Sequence, residues 1–457
     1  MQSSQPLSAA TADPLATAAT PGPSADAKII DPYLLTAWGR SGLLNQVVSM
    51  YYAQDPGFFN LSQVVTTLNV EFEGKIKNAP IVELSPLTAR EVVRLYNTSR
   101  SLGKDHAQYV TDEPLPLDPP NFGLSMDPLT ISIYEYDNGQ RGVLLKSADF
   151  TVVTYGIFGV GNGKLVLTSL ASKVTGGSGG DDPLVKKIMD GFVLPSLAAR
   201  VQGMELPQFQ GIFGTGLNAR IANVTIDKQV FNLFATIAAG AAETPVKIDA
   251  AAAPVKIDAV ADPANINAYV AGNAINILGQ QIIGPQQYNF DQDAGGSFGA
   301  AGIRGRINMS RPSISINGSA ATAGAGISIS AEGGIKLFWT WSWVPLPIPN
   351  TKVAIDIALR SNSTDAYIEI TGVQSIHVDL GNWPGILSPV KSVIEGLLNA
   401  IVGAFRGQIS NAVSGTKIKL FDLPATIPGM NVPARLSFTT LQFANSGVTA
   451  SINVAPK

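Results

Sequence analysis

Two segments of this chain place serine, histidine and aspartate in patterns that hydrolases use. Gly176-Gly-Ser-Gly-Gly180 fits the glycine-serine-glycine spacing of a nucleophile elbow, in which a sharp turn between a strand and a helix exposes the serine. Ser375, His377 and Asp379 alternate along a predicted strand and would share its polar face. Both patterns would point to acyl transfer by an activated serine.

The spacing of both segments argues against that chemistry. An elbow needs a histidine within hydrogen-bond reach of its serine, and the chain has only His106 and His377. Neighbours on one face of a strand lie about 6–7 Å apart, which is too far for direct hydrogen bonds. We therefore predict a flexible loop at Ser178, a solvated strand face at His377, and no enzymatic activity; a hydrolase using Ser178 or Ser375 is a third alternative.

A glycine-rich segment, Gly159-Val-Gly-Asn-Gly-Lys164, is similar to a phosphate-binding loop. The first glycine that such a loop requires is Phe158, and Leu165 replaces the hydroxyl that binds magnesium. We predict a hairpin turn here, and no bound nucleotide cofactor.

A second oxygen-rich segment begins as calcium-binding loops do. Asn289, Asp291 and Asp293 have the right spacing, but Ala294 stands at the obligatory glycine position and Ala300 at the position of the bidentate glutamate. The sequence therefore predicts no calcium site, and no metal or other cofactor elsewhere.

Three tryptophans alternate in one segment of the second half. Trp339, Trp341 and Trp343 would project from one strand face beside the proline-stiffened segment 344–349. Indoles favour boundaries between water and apolar surroundings. The row is either an aromatic seam packed against a sheet or a surface that contacts a membrane or a partner.

The composition indicates a chain that buries much apolar surface in more than one core. Charged residues make up 14% of the 457 residues, against about 25% in typical globular domains. The mean hydropathy is +0.19. Single cores stop growing at roughly 250–300 residues, so two lobes are expected. The longest apolar stretch, 231–242, is shorter than the ~20 residues of a membrane-spanning helix, so we expect a soluble protein.

The charge and cysteine content exclude some classes of partner and binding site, and the first residues indicate the compartment. The formal net charge is −3 and the Lys and Arg residues are dispersed, so the chain lacks the clustered basic surface that binds nucleic acid. Without cysteine there are no disulfides or thiolate sites. Residues 1–27 are predicted to be a flexible leader, because they lack the basic and apolar regions of a secretory signal. The protein is expected to be cytoplasmic or exported by a route that needs no such signal.

The first predicted lobe covers residues 28–240. A helix pattern runs from Asp31-Pro32 to Tyr52, and alternating strands follow around Val70 and Ile131. A second long helix begins at Pro183, with Pro195 expected to kink it. Its apolar residues are Leu184, Val185, Ile188, Met189, Phe192, Val193, Leu197 and Val201.

Residues 241–261 form a predicted linker. Pro-Val-Lys-Ile-Asp-Ala occurs at Pro245 and again at Pro254. The duplication is either slippage in a tolerant connector or a pair of short strands in a central sheet.

The second predicted lobe, residues 262–457, repeats the order of the first. Asp262-Pro263 opens a helix pattern that extends to Ile282, and strands follow, the clearest at 353–359. The last helix has one broad apolar stripe, with Lys391 and Arg406 opposite it. The stripe consists of Val390, Val393, Ile394, Leu397, Leu398, Ile401, Val402, Phe405 and Ile409.

The order of helix, antiparallel strands, long helix, Leu-Pro (Leu206-Pro207, Leu423-Pro424) and closing strand occurs twice. It resembles the tubular lipid-binding superfamily, the bactericidal/permeability-increasing-like fold, over residues 28–457. The segment Trp38-Gly-Arg40 to Asn45-Gln-Val-Val48 is similar to accessory proteins encoded with clostridial neurotoxins. The chain has no cysteine, unlike the disulfide-bonded extracellular vertebrate members.

This resemblance implies an α+β fold of two tandem lobes, each a curled antiparallel sheet wrapped on a long amphipathic helix. It implies non-enzymatic binding of lipid, fatty acid or another long apolar ligand, with contact to a membrane surface. A filled core in each lobe is the alternative to an open groove, and an accessory subunit that docks onto a protein partner in a toxin or secretion assembly is the alternative function. The predicted groove residues are Leu184, Ile188, Phe192, Val193, Val393, Leu397, Ile401 and Phe405.

Overall fold

The computed structural model describes residues 35–85, 121–178, 181–204, 206–214, 217–227, 229–237, 265–295, 300–337, 339–378 and 384–457. The predicted leader, the linker with its duplication, His106 and Asp379 lie outside these residues. The described part is dominated by antiparallel sheets, two of them curled, with few helices. The coarse α+β prediction is therefore confirmed, and the division into domains stays a prediction.

The first half contains one antiparallel sheet of its own, a short helix, a segmented helix and strands of a second sheet. Alternation explains its strands: Val70, Phe72 and Ile76 are buried, while Glu73 and Lys75 between them face outward. Its elements are β1 Leu35–Arg40, α1 Ser41–Gln54, β2 Leu61–Val65, β3 Val70–Ile76, β4 Ile81–Leu84, β5 Phe122–Asp137, β6 Gln140–Gly161, β7 Lys164–Gly177, α2 Pro183–Ile188, a π-helical turn Met189–Val193, α3 Leu194–Gln202, β8 Ala219–Asp227 and β9 Val230–Ile237.

The second half has a similar order, with a short helix early and a long helix late. Its elements are β10 Asn265–Ala271, α4 Gly272–Ile282, β11 Gln286–Ala294, β12 Ala301–Met309, β13 Ser313–Asn317, β14 Ala320–Leu337, β15 Thr340–Leu346, β16 Thr351–Ser361, β17 Asp365–Val373, α5 Lys391–Val413, β18 Lys417–Asp422, β19 Ala434–Ala444 and β20 Gly447–Pro456.

A central sheet joins the two halves. Its strand order is β19-β20-β10-β1-β9-β8, so β1 and β10 lie side by side in the middle. They are antiparallel, with Leu35 opposite Val270 and Trp38 opposite Asn267. The two closing strands of each half lie on the outer side of its central strand: β9 and then β8 beyond β1, and β20 and then β19 beyond β10. The hydrophobic core beneath this sheet therefore contains side chains from both halves.

The start of each predicted early helix was wrong. Leu35–Arg40 and Asn265–Ala271 are strands, and the helices begin only at Ser41 and Gly272. A strand covered on both faces has no polar side to reveal its alternation, and β10 is buried at every position. Its apolar run therefore merges with that of the following helix.

Two hairpins use asparagine-glycine turns. Asn138 and Gly139 join β5 to β6, and Asn162 and Gly163 join β6 to β7, all with positive φ between 51° and 79°. These residues tolerate the left-handed conformation that a two-residue hairpin requires. The predicted turn in place of a phosphate loop at 159–164 is thereby confirmed.

The ends of β17 and β18 are tied by one lysine. Lys419 Nζ lies 2.6 Å from Asp365 and 3.0 Å from Asp422. The hydrogen bond from Lys419 holds the pKa of the Asp365 carboxyl below its ordinary value, and the two carboxylates raise the pKa of Lys419. Opposite charges at this distance favour both charged forms.

We expect the Asp365 carboxylate to stabilise the fold at neutral pH and to lose this effect on acidification. A depressed pKa contributes stability above the unfolded value of about 3.9, and loses it as pH falls through the folded pKa. Lys419→Met should therefore flatten the acid side of a plot of melting temperature against pH. Parallel curves for the parent and this variant would contradict the assignment.

Candidate ligand-binding surfaces

The long helix α5 packs one apolar face onto the second-half sheet. It contacts β11, β12 and β17, and the ring of Phe405 lies 6.0 Å from that of Tyr288 on β11. Arg406, an exposed residue of the same helix, donates from Nε to the carbonyl oxygen of Val373 at the end of β17 at 3.1 Å. The predicted helix is confirmed, and its predicted stripe is confirmed in part. The buried members are Ile394, Leu398, Ile401, Val402, Phe405 and Ile409, whereas Val390 precedes the helix and Val393 and Leu397 stay partly exposed.

The corresponding helical segment of the first half is capped by Asp182. Its carboxylate accepts hydrogen bonds from the backbone N–H of Leu184 at 2.9 Å and of Val185 at 3.2 Å. Lys146 lies 3.1 Å away, and its hydrogen bond, with those of the cap, lowers the pKa of Asp182. The cap fixes where the segment starts, next to the first-half sheet.

Side chains of this segment fill the core of the first half. Val185, Ile188, Met189, Val193, Leu194, Leu197 and Val201 are buried. The predicted kink is a π-helical turn that ends just before Pro195, which lies in the first turn of α3. A π turn adds a residue to the helical repeat, so the buried face is redirected at this point.

The eight predicted groove residues divide into two sets. Ile188, Val193, Ile401 and Phe405 are at most 1% exposed, and lie in the hydrophobic cores. Leu184, Phe192 and Leu397 are only partly buried, and Val393 is 41% exposed. We call these last four residues the groove margins. They form an apolar flank of each helix that the described sheets leave partly open.

The three tryptophans do not share one strand face, because Trp339 lies apart from the other two. Trp339 lies in the turn before β15 and is 93% exposed. Trp341 and Trp343 lie on the outer face of β15, half-buried, with rings stacked at 4.9 Å and 19°. Arg304 of β12 lies over the Trp343 ring at 4.4 Å. The predicted single row is therefore a turn residue and a stacked pair.

The segment of Ser375 and His377 is not a strand. It follows the end of β17 at Val373 in irregular conformation, and both side chains are exposed. Ser178 is exposed as well, and its backbone N–H donates to the Asp149 carbonyl at 2.9 Å. The polar strand face predicted for this segment was wrong, because β17 ends at Val373, before the segment begins.

Asn289, Asp291 and Asp293 lie on β11, not on a loop. Among the described residues no group of three or more acidic or histidine side chains could hold a metal ion.

Sequence reasoning missed an exposed apolar segment in β6. Val143, Leu144 and Leu145 are 66%, 54% and 41% exposed, on the part of β6 that pairs with β5 but extends beyond β7. Three successive aliphatic residues break the alternation of a half-buried strand, and this was the available signal.

No described helix is both long enough and apolar enough to cross a bilayer.

The comparisons with known proteins find structures of the predicted kinds. No family model and no curated protein matches the chain. Among solved structures, lipopolysaccharide binding protein is similar over 93% of this chain and 99% of its own, at 11% identity and a TM-score of 0.37. P47 of Clostridium botulinum E1 is similar over 93% and 99%, at 7% identity and 0.38. P47 from Clostridium botulinum A2 is similar over 93% and 97%, at 9% identity and 0.37.

The sequence resemblance to the tubular lipid-binding superfamily and its clostridial branch is matched by these findings.

Proposed function

We propose that this protein is a non-enzymatic carrier of lipid, fatty acid or another long apolar ligand, with one binding groove in each of two tandem lobes. The groove margins carry the proposal. Each long helical segment buries one apolar face against an antiparallel sheet and leaves two further apolar side chains partly open beside it, Leu184 and Phe192 in the first half and Val393 and Leu397 in the second.

An acyl chain is the ligand that such a margin suits. Each methylene removed from water contributes ~0.8 kcal/mol, and a linear chain can follow the length of a helix without needing polar partners. Apolar pockets with few polar groups are typical of such sites. The fully buried residues Ile188, Val193, Ile401 and Phe405 would then form the floor beneath the ligand.

The deciding experiment is solvent extraction of the purified protein followed by lipid mass spectrometry. We expect phospholipid or fatty acid at a defined stoichiometry. Extracts identical to a buffer blank, together with no uptake of a fluorescent fatty acid, would refute the proposal and leave the two cores simply filled.

Val393→Asp should lower uptake of a fluorescent fatty acid at least about tenfold, because a carboxylate beside an acyl chain would lose its hydration. The melting temperature should hardly change, since exposed substitutions usually cost under about 0.5 kcal/mol. Asn399→Asp is the matched control: it adds the same charge to the exposed face of the same helix. Equal uptake by both variants would place the ligand elsewhere.

The exposed apolar segment of β6 supports a second candidate, an accessory subunit that docks onto a partner protein. Exposed apolar strand edges are templates for contact with another chain. Native mass spectrometry can separate the two functions: a polypeptide bound at fixed stoichiometry, and released by Leu144→Asp, would favour the docking role.

A further inference from the structure

The hairpin that joins β14 to β15 ends in the most exposed apolar side chains of the second-half sheet. Leu337 is 59% exposed and Trp339 is 93% exposed. We call Lys336, Leu337 and Trp339 the hairpin tip. Leu346 at the base of the same hairpin is buried and Ile335 and Val344 are half-buried, so the exposure of apolar side chains increases toward the turn.

A stacked column on the outer face makes the base of this hairpin stiff. The Arg304 guanidinium lies on Trp343, Trp343 stacks on Trp341, and Arg304 also binds Glu332 of β14 through Nε at 2.8 Å and Nη2 at 2.7 Å. The column crosses β12, β14 and β15. Such cation–π and charge-assisted contacts hold the strands of the hairpin to the sheet.

Two glycines let the column lie flat on the sheet. A Cβ on Gly334 would stand 2.6 Å from the Trp343 ring, and one on Gly302 would stand 2.9 Å from Trp341. Both distances are shorter than any normal contact, so side chains here would lift the indoles away. Trp341 and Trp343 are therefore supports of the hairpin, and Trp339 alone of the three indoles extends beyond it.

The size of the tip decides which kind of partner it fits. Leu337 and Trp339 together could bury about 500 Å² at most, given ~150–250 Å² for a large aromatic side chain and no more for a leucine. A stable protein interface buries about 800 Å² on each partner and needs a complementary surface around it. A lipid bilayer needs no such complement, since side chains enter it singly.

The charge of the tip points to the same partner. Lys336 pairs with Trp341 at the end of the hairpin and is the one charged residue between 336 and 341 in the sequence. A lysine can extend its ammonium to lipid phosphates while its methylenes stay in apolar surroundings. Anionic leaflets attract such a charge.

We propose that the hairpin tip inserts into the headgroup region of a bilayer that contains anionic lipid, with Leu337 and Trp339 in the acyl boundary and Lys336 at the phosphates. This inference adds a membrane contact to the proposed carrier function, and it names the residues that make the contact. The stacked column positions the tip and does not itself enter the bilayer; it consists of Trp341, Trp343 and Arg304.

The test is flotation of the full chain with vesicles of phosphatidylcholine, with and without phosphatidylglycerol. Leu337→Ala with Trp339→Ala should lower the vesicle-bound fraction at least about tenfold, because binding scales with the apolar area inserted. Ile81→Ala with Ile282→Ala removes apolar groups that are 55% and 48% exposed elsewhere, and should leave flotation unchanged. Lys336→Glu should weaken binding to the anionic vesicles only. All variants should melt within about 2 °C of the parent, because exposed substitutions cost little.

Flotation of the tip variant at the level of the parent, or no flotation of the parent, would overturn the inference. Loss of a bound polypeptide from the tip variant, with a parent that does not float, would make the tip a protein contact instead. Fatty-acid uptake without vesicles tests the carrier function separately. If the parent floats through its tip but takes up no fatty acid, the proposed carrier function is refuted and the membrane contact of the tip stands.

Discussion

Ile401→Asp is expected to lower the free energy of unfolding by about 3–5 kcal/mol or to prevent folding of the second half, because the new carboxylate would be buried without a partner. Ile401 is fully buried on α5, in the core that the helix shares with the second-half sheet. The measurement is the denaturant midpoint followed by circular dichroism.

Asn399→Asp is again the matched control, two residues earlier and on the exposed face of the same helix. It adds the same charge and should shift stability by less than about 0.5 kcal/mol. Equal midpoints for the two variants would show that α5 is rotated about its axis relative to the structure described.

Phe209→Ala is expected to cost about 3–5 kcal/mol, the usual range for truncating a packed phenylalanine. Phe209 is fully buried in the 3₁₀ turn Phe209–Ile212, and its ring stacks on Phe231 of β9 at 5.4 Å. The contact joins the segment after α3 to the central sheet. A cavity here would loosen the connection between the first-half sheet and the central one.

Phe192→Ala is the chemically identical control at a groove margin. Its ring is half-buried and 6.3 Å from that of Phe72, so we expect less than half of the loss in stability. Thermal unfolding of both variants, with fatty-acid uptake of Phe192→Ala, checks the assignment. A larger loss for Phe192→Ala would mean that this margin is core and not an opening.

The sequence correctly predicted those elements that have one apolar, buried face and one polar face. The α5 stripe repeats at helical spacing against a polar side, and Leu129, Ile131 and Ile133 alternate with polar neighbours. Both patterns follow directly from which face is buried. β1 and β10 have no such contrast, because nearly every position of both strands is buried. Their strand character depends on contacts more than 200 residues away in the chain.

The candidate sites were predictable by residue type but not by exposure. Leu397 and Ile401 occupy the same stripe one turn apart, yet the second is fully buried and the first is not. That difference depends on which side chains the neighbouring strands cover, and this is set by tertiary packing. In the same way, spacing put Trp339 and Trp341 on one face, whereas the hairpin turn at Trp339 separates them. The turn at Trp339 lacks the asparagine-glycine signal of the other hairpins, so its position depends on strand pairing.

The central pairing of β1 with β10 has a consequence during synthesis on the ribosome. Val270 follows Leu35 by 235 residues, so at about 5–20 residues per second β1 waits roughly 10–50 s for its neighbour. Throughout that interval the nascent first half presents an unpaired edge, which is a template for mispairing with other chains. Efficient production of this protein should therefore depend on chaperones that shield emerging strands. Lower expression temperature should raise its soluble yield more than changes to its surface charge.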